Sequence, residues 1–246
     1  MYRLTSLVTG VPAKSSTHGG LGWSSVCLLE GEGRRILVDT GPPAYVAVLH
    51  RELARCGLTA ADVTDVLVTH LHWDHVGNVT MFPNAEVLLS RAELEWAAGQ
   101  PAGTTFVPDL HVAHLAASPE RLVYVGEGDE PLPGLVVLGV DGHTPGHLAF
   151  DAVTESGHVL FAGDSVKNRH ELATGDVEWS MDQAASVAGT RRLRQRLIDD
   201  PGAVLVPGHD VPLAVVDGVV TPIGSPVCDL QVFVTNDGAA EPRVLV

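Results

Sequence analysis

The sequence contains few cysteines, few basic residues and no long apolar run. Its three cysteines are an odd number without a C-x-x-C pair, which argues against a disulfide framework. Lys and Arg number 15 against 30 Asp and Glu, so the net charge is −15 with histidine neutral. Such a surface repels phosphate backbones and anionic lipids, which argues against nucleic-acid and membrane partners. No stretch approaches the roughly 18 uncharged apolar residues of a transmembrane helix.

The first residues also lack an apolar segment before a small-residue cleavage site, so we expect no secretory signal and a cytoplasmic protein. The 246 residues are 45% hydrophobic and 18% charged, which is an ordinary globular balance. No repeat, linker or change of composition divides them, so a single domain over residues 1–246 is expected. Histidine is the unusual residue, with twelve copies.

Strand-length apolar runs alternate with helical patterns along the chain. The predicted strands cover residues 25–30, 35–38, 65–69, 86–89, 135–140, 148–153, 159–162 and 203–206. The predicted helices lie at 45–56, after a capping box formed by Ser90 and Glu93, and from the cap Asp182 to about Asp200. Strands and helices in one continuous pattern predict an α/β layered domain. Residues 213–246 are predicted to form an extended tail that packs on this domain or on a partner subunit, as in a homodimer.

Four side chains that commonly bind metals lie within residues 70–75, which read His-Leu-His-Trp-Asp-His directly after a predicted strand. Side chains two residues apart on an extended backbone point the same way, so His70 and His72 converge. Asp74 and His75 follow where Gly77 allows the chain to turn. This density of imidazole and carboxylate groups indicates a metal site rather than a solvated polar loop.

Three later predicted strands end in the same residue types: His143 with His147, Asp164, and His209. His143 and His147 would share one face of a helix, but Pro145 rules against that helix, so we expect only one of the two to be a direct ligand. Strand ends gather at one edge of an α/β sheet. Together these groups suffice for two metal ions with open positions for water and substrate.

The segments THLHWDH (69–75), GHTPGH (142–147), Gly-Asp (163–164) and Pro-Gly-His (207–209) resemble the metallo-β-lactamase superfamily in order and spacing. The resemblance covers roughly residues 20–212, includes the LVDTG of 37–41, and lies towards the lactonase and glyoxalase II branch. It implies a four-layer αββα sandwich with metals at one edge.

The resemblance also implies a role for each motif position. The implied ligands are His70, His72 and His143 for one metal, Asp74, His75 and His209 for the other, and Asp164 as a bridge. Asp39 would orient the ligand histidines through hydrogen bonds, and His147 would lie beside the ligands or in the substrate pocket. Two zinc ions suit this mixture of imidazole and carboxylate, with iron or manganese as alternatives.

A site of this kind predicts a metal-dependent hydrolase acting on a carbonyl ester-type bond, such as a lactone or thioester, in a small molecule. Water between two divalent cations ionises near neutral pH and supplies a metal-bound hydroxide. Asp74 is the expected proton carrier to the leaving group. The sequence has no G-x-S-x-G motif that would supply a serine nucleophile instead.

The substrate pocket is expected in loops, including the segment after Asp164. Lys167, Asn168 and Arg169 are its candidates, and the two cations would hold a substrate carboxylate or carbonyl unless they are solvated loop charges. Two departures from the pattern of known members narrow the choice of branch within the superfamily. The tail lacks the helical glutathione-binding domain of glyoxalase II-like proteins, and no tyrosine shortly follows Asp164 as in acyl-homoserine lactonase-like proteins.

Three other functions stay open at this point. A phosphodiesterase or ribonuclease of the same fold would also use two metals, with the arginines of 191–196 as a phosphate patch or simply as a solvated helix face. An iron-dependent persulfide dioxygenase would use overlapping ligands, whereas flavodiiron proteins carry Glu in place of His72. A non-catalytic binding module is disfavoured because every ligand position is retained.

Overall fold

In the computed structural model, the described residues are 1–15, 19–225, 228–233 and 240–245. Their strands are β1 (Arg3–Val8), β2 (Lys14–Ser15), β3 (Gly19–Gly20), β4 (Val26–Gly31), β5 (Arg34–Val38), β6 (Asp65–Leu67), β7 (Glu86–Leu89), β8 (Leu122–Tyr124), β9 (Leu135–Gly139), β10 (Leu148–Thr154), β11 (Gly157–Gly163), β12 (Val204–Pro207), β13 (Leu213–Val216), β14 (Val219–Pro222), β15 (Cys228–Phe233) and β16 (Ala240–Leu245). Their helices are α1 (Val46–Arg55), α2 (Trp73–Val76), α3 (Arg91–Ala98), α4 (Asp109–Ala116), α5 (Arg169–Thr174) and α6 (Gln183–Asp199). Within these ranges no helix combines the length and apolar character needed to cross a bilayer.

Two mixed six-stranded sheets form the centre of the molecule. The first has the order β1-β4-β5-β6-β7-β8, and its strands β5 to β8 run parallel. The second has the order β14-β13-β12-β11-β10-β9, in which β11 and β12 are parallel and the other neighbours are antiparallel. β2–β3 and β15–β16 form separate antiparallel two-stranded sheets.

Apolar side chains separate the structure into four layers. Leu29 and Ile36 of the first sheet pack against Phe150 and Phe161 of the second, and all four are buried. A second cluster joins α1, α3 and α4 to the outer face of the first sheet, and a third joins α5 and α6 to the outer face of the second. The helix–sheet–sheet–helix order confirms the predicted αββα sandwich.

The predicted elements lie where the apolar pattern placed them, within a few residues. The β4–β5 connection is a tight hairpin in which Glu32 and Gly33 have φ of 51° and 74°, the positive values that two-residue hairpins favour. α6 begins after Asp182, whose carboxylate accepts the N–H of Ala185 at 3.0 Å. Part of the segment expected to be a tail, β13 and β14, extends the second sheet; residues 226–227, 234–239 and 246 lie outside the described ranges.

The predicted capping box of α3 forms only in half. The Ser90 hydroxyl accepts the backbone N–H of Glu93 at 3.4 Å. The Glu93 carboxylate does not return to Ser90; it accepts backbone N–H groups of Leu71 and Gly146 instead. The difference follows from burial. The Glu93 side chain is buried under the loops that contain Leu71 and Gly146, and it accepts hydrogen bonds from the N–H groups of both.

Phe150→Ala is expected to destabilise the fold by about 3–5 kcal/mol, because it leaves a cavity between the two sheets. Leu110→Ala is the control, since Leu110 is 84% exposed and its loss should change stability by less than about 0.5 kcal/mol. Urea unfolding followed by circular dichroism measures both. Equal stability of the two variants would contradict the assignment of Phe150 to the inter-sheet core.

Candidate metal centre

The metal-ligand residues predicted from the sequence all follow the carboxyl ends of strands at one edge of the sandwich. β5 and β6 run parallel in the first sheet, and β9, β11 and β12 share one direction in the second. The connections after β6, β9, β11 and β12 therefore meet at this edge. They carry, in order, His70 to His75, His143, Asp164 and His209. This is the edge where α/β proteins place their sites.

His70, His72 and His143, here called the three-histidine group, direct ring nitrogens at one another. His72 Nδ1 lies 3.1 Å from both His70 Nε2 and His143 Nε2. All three rings are buried. Burial lowers the pKa of His72 to about 4 and the pKa values of the other two well below their usual range. Neutral imidazoles keep a lone pair, which is the form that binds a metal.

Asp74, His75 and His209, here called the Asp-His-His group, lie beside the first group. Asp74 Oδ2 is 3.4 Å from His209 Nε2 and 3.9 Å from His75 Nε2. Asp164 lies between the two groups. Its Oδ2 is 3.4 Å from His143 Nε2, and its Oδ1 is 3.2 Å from both His75 Nε2 and His209 Nε2. One carboxylate thus offers one oxygen to each group.

The electrostatics of these residues fit a divalent cation. Burial would raise the pKa of Asp164, but the imidazoles of His209 and His75 outweigh it and hold that pKa well below its usual range. Burial would lower the pKa of His75, but Asp164, Asp39 and Asp74 raise it well above. His75 Nε2 and Asp164 Oδ1 are buried and make no well-formed hydrogen bond. Buried polar atoms normally have partners, and a cation would satisfy both.

Asp39 follows β5 and orients His75. Its Oδ2 lies 2.7 Å from His75 Nδ1, and its carboxylate also accepts the backbone N–H and the hydroxyl of Thr69 at 2.9 and 2.8 Å. Asp39 has φ of 55°, a left-handed conformation that aspartate tolerates better than bulky residues. The turn aims the carboxylate at Thr69 and His75.

His147 lies beside the ligands and is not among the residues that line the cavity. It is fully buried, its ring stacks on His70 with centroids 4.8 Å apart, and its Nε2 accepts the backbone N–H of Asp164 at 3.0 Å. A Cβ at Gly208 would lie 2.1 Å from Asp164 Oδ1, so only glycine fits there. His147 and Gly208 together restrict the position of Asp164.

A cavity of about 820 Å³ lies over the two groups, and Asp74, His143 and Asp164 reach it. Its aromatic wall is formed by Phe106 and Trp179, whose rings lie 5.5 Å apart and are 44% and 51% exposed. Trp179 also contacts the His143 ring at 5.5 Å. The sequence predicts a pocket in loops, but no periodic signal pairs two aromatic residues so far apart in the chain.

The three pocket candidates after Asp164 have different surroundings. Lys167 and Asn168 line the cavity. Lys167 Nζ lies 3.3 Å from Glu171 Oε1, and the Asn168 side chain caps α5. Arg169 does not line the cavity, and its expected role in substrate binding stays a prediction. Its guanidinium donates two hydrogen bonds to Asp210, at 2.6 and 2.8 Å, and so holds the residue after His209.

Known proteins share both the sequence pattern and this architecture. A family model described as the metallo-β-lactamase superfamily matches residues 19–209. The chain belongs to this superfamily. It is 33% identical over 193 residues to metallo-β-lactamase domain-containing protein 1 of Xenopus laevis, covering 78% of this chain and 72% of that protein. It is 27% identical over 213 residues to an N-acyl homoserine lactonase of Bacillus cereus, covering 75% and 80%.

Solved structures give the same result for the fold. A quorum-quenching N-acyl homoserine lactone hydrolase is 26% identical with a TM-score of 0.66, covering 85% of this chain and 92% of that one. AidC, a dizinc quorum-quenching lactonase solved with a product, is 18% identical with a TM-score of 0.69, covering 82% and 79%. These relatives and the cluster of histidines and aspartates support the assignment of this chain as a metal-dependent hydrolase.

Asp39→Asn is expected to weaken zinc binding by about 10- to 100-fold, because an amide cannot accept both from Thr69 and from His75. Competition titration against a chromophoric chelator measures the dissociation constants. Asp217→Asn, an exposed position in the β13–β14 hairpin, is the control and should bind zinc as the unsubstituted protein does. Unchanged zinc binding in Asp39→Asn would show that this carboxylate does not support the ligands.

Proposed function

We propose that this chain is a dinuclear metal-dependent hydrolase that cleaves a carbonyl ester-type bond, first of all a lactone, in a small molecule. The observation that carries the proposal is Asp164, whose two oxygens face the three-histidine group and the Asp-His-His group separately. A carboxylate shared between two sets of candidate ligands suits a pair of neighbouring cations. Zinc suits these nitrogen and oxygen ligands, with iron or manganese as alternatives.

The bound metals would supply an ionised water near neutral pH and polarise a carbonyl oxygen. The protein's own contribution is to hold the substrate over the ligands and to move a proton. Asp74 Oδ2 faces His75 and His209, which leaves Oδ1 to accept the proton of the attacking water and deliver it to the leaving oxygen. Phe106 and Trp179 shield one side of the reacting bond from water.

Two observations support a lactone as the first substrate to test. The relatives named above include N-acyl homoserine lactonases, and the cavity combines an aromatic wall with a single part-buried lysine, Lys167, among its described lining residues. Lys167 occupies the segment where acyl-homoserine lactonase-like proteins carry tyrosine. We therefore propose a small-molecule lactone whose acyl or ring substituents differ from those of N-acyl homoserine lactones.

The phosphodiesterase alternative finds no support in the arginines of α6. Arg192 binds Glu127 and the Gly139 carbonyl, and Arg196 pairs with the buried carboxylate of Asp151. Arg194 donates to the Gly218 carbonyl. These guanidinium groups are engaged by acceptors within the protein, so they make a poor patch for a phosphate backbone.

His70→Ala is expected to abolish lactone hydrolysis and to reduce zinc content from about two equivalents per chain, because it removes a buried ligand of the three-histidine group. Elemental mass spectrometry and a chromogenic panel of lactones, thioesters, β-lactams and bis-phosphodiesters measure both. His50→Ala is the matched control, since His50 lies exposed on α1.

The same panel separates the alternatives. Two equivalents of zinc with preferred turnover of the phosphodiester would replace the proposal by a phosphodiesterase. About one equivalent of iron without any hydrolysis would replace it by the dioxygenase alternative.

Lys167→Met is expected to raise KM about tenfold for lactones that carry a carboxylate, because it removes a charged hydrogen-bond donor from the cavity. KM for an uncharged lactone of the same size should stay unchanged, and this substrate is the internal control. Steady-state kinetics on the substrate pair measures the difference. An equal change for both lactones would show that Lys167 does not distinguish substrates by charge.

A further inference from the structure

A buried carboxylate beside the metal centre has no part in the reaction described above. Glu93, in the first turn of α3, is 1% exposed. Its Oε1 accepts the backbone N–H of Leu71 at 2.9 Å, and its Oε2 accepts that of Gly146 at 3.0 Å. Burial raises the energy of a charged carboxylate, so two N–H donors at this distance are needed to hold one there.

The two N–H groups belong to the two loops that carry the three-histidine group. Leu71 lies between His70 and His72, and Gly146 lies three residues after His143. A single carboxylate therefore joins the loop after β6 to the loop after β9. These loops come from different sheets, and their relative position determines whether three imidazoles reach one cation.

The approach of the second loop to α3 is unusually close. A Cβ at Gly146 would lie 2.3 Å from the backbone nitrogen of Glu93 and 2.7 Å from the Ser90 hydroxyl oxygen. No side chain fits in that space, so glycine is required at this contact. The loop after β9 thus rests directly on the first turn of α3, where Glu93 receives it.

The Asp-His-His group is held by other contacts. Asp39 orients His75 through Nδ1, and the His75 carbonyl accepts the backbone N–H and the hydroxyl of Thr40 at 2.7 and 3.0 Å. The backbone N–H of His209 donates to the Lys167 carbonyl at 2.8 Å. Glu93 takes part in none of these hydrogen bonds.

We propose that Glu93 is a positioning residue that sets the geometry of the three-histidine group and thereby the metal affinity of that group alone. This inference rests on the proposed dinuclear metal centre. It predicts that the two metal sites respond differently to a change at Glu93, a selectivity that a general loss of stability would not produce.

The test is Glu93→Gln, which keeps the size of the side chain but presents an NH₂ group to one of the two backbone N–H groups. Glu95→Gln is the matched control, because Glu95 lies exposed on the same helix. Zinc titration against a chelator gives two dissociation constants for each protein. His143→Ala and His209→Ala assign these constants to the three-histidine group and the Asp-His-His group.

We expect Glu93→Gln to weaken zinc binding at the three-histidine group by about 10- to 100-fold and to leave the other constant unchanged. Both constants of Glu95→Gln should equal those of the unsubstituted protein. Unchanged binding in Glu93→Gln, or equal weakening at both groups, would overturn the inference. An unsubstituted protein that binds fewer than two zinc ions would instead overturn the proposed metal centre as well.

A second variant and a second measurement apply if Glu93→Gln does not fold. Glu93→Asp keeps the carboxylate but is one methylene too short to span both N–H groups, so it should show the same selective loss. In the unsubstituted protein without metal, the amide hydrogens of Leu71 and Gly146 should exchange slowly with deuterium. Rapid exchange at either amide, or unselective loss of zinc in Glu93→Asp, would refute the role of Glu93.

Discussion

The position of the Asp164 carboxylate is the constraint on which the rest of the candidate metal centre depends. A buried anion is costly, and the imidazoles of His75 and His209 offset this cost within 3.2 Å of one of its oxygens. The other oxygen faces His143. Both groups therefore contact the same carboxylate, each through a different oxygen. A displacement of the chain after β11 would misplace both, which explains why His147 binds its backbone and Gly208 presents no side chain to it.

The candidate ligands follow strands of two different sheets, so the sandwich must hold the two sheets in a fixed relative position. Apolar packing between the sheets supplies most of that rigidity, but it is not directional. Directional contacts lie at the edge itself: the Leu148 N–H donates to the Thr69 carbonyl at 2.9 Å, and the Ser25 N–H donates to the Gly208 carbonyl at 2.7 Å. Each joins a residue beside a strand of the first sheet to a residue in or beside a strand of the second. The fold thus fixes the strand ends, and a few backbone hydrogen bonds fix the loops.

Much of this arrangement follows from the sequence, for physical reasons that differ between elements. Apolar runs locate the strands because burial of alternate or all side chains is local information. The His-x-His-x-Asp-His segment locates four candidate ligands because they lie within six consecutive residues. Contacts between segments that lie far apart in the sequence are harder to predict from it. The capping-box pattern at Ser90 is genuine, yet Glu93 turns to Leu71 and Gly146, because two loops from other strands cover it.

The residues after Asp164 show more clearly that tertiary contacts are hard to predict from the sequence. Lys167 and Arg169 are two residues apart and equally basic, and nothing in their order separates a cavity residue from a structural one. The structure separates them through Asp210, which follows His209 and takes up the Arg169 guanidinium. α4 likewise has little helical periodicity in its sequence, since its eight residues bury only Val112 and Leu115. Tertiary neighbours, not local preference, decide such cases.

The charges around the cavity bear directly on what it can bind. Lys14 pairs with Glu178 at 2.5 Å and Lys167 with Glu171 at 3.3 Å, so the lysines among the described lining residues already have anionic partners. Asp74 and Asp164 then leave the floor negative unless cations are bound. A polyanion would meet repulsion from this surface and from the net charge of −15. A compact carbonyl compound needs only polarisation of one oxygen and an apolar wall, which Phe106 and Trp179 supply. The electrostatics therefore favour the proposed acyl substrate over a phosphodiester on the same set of candidate ligands.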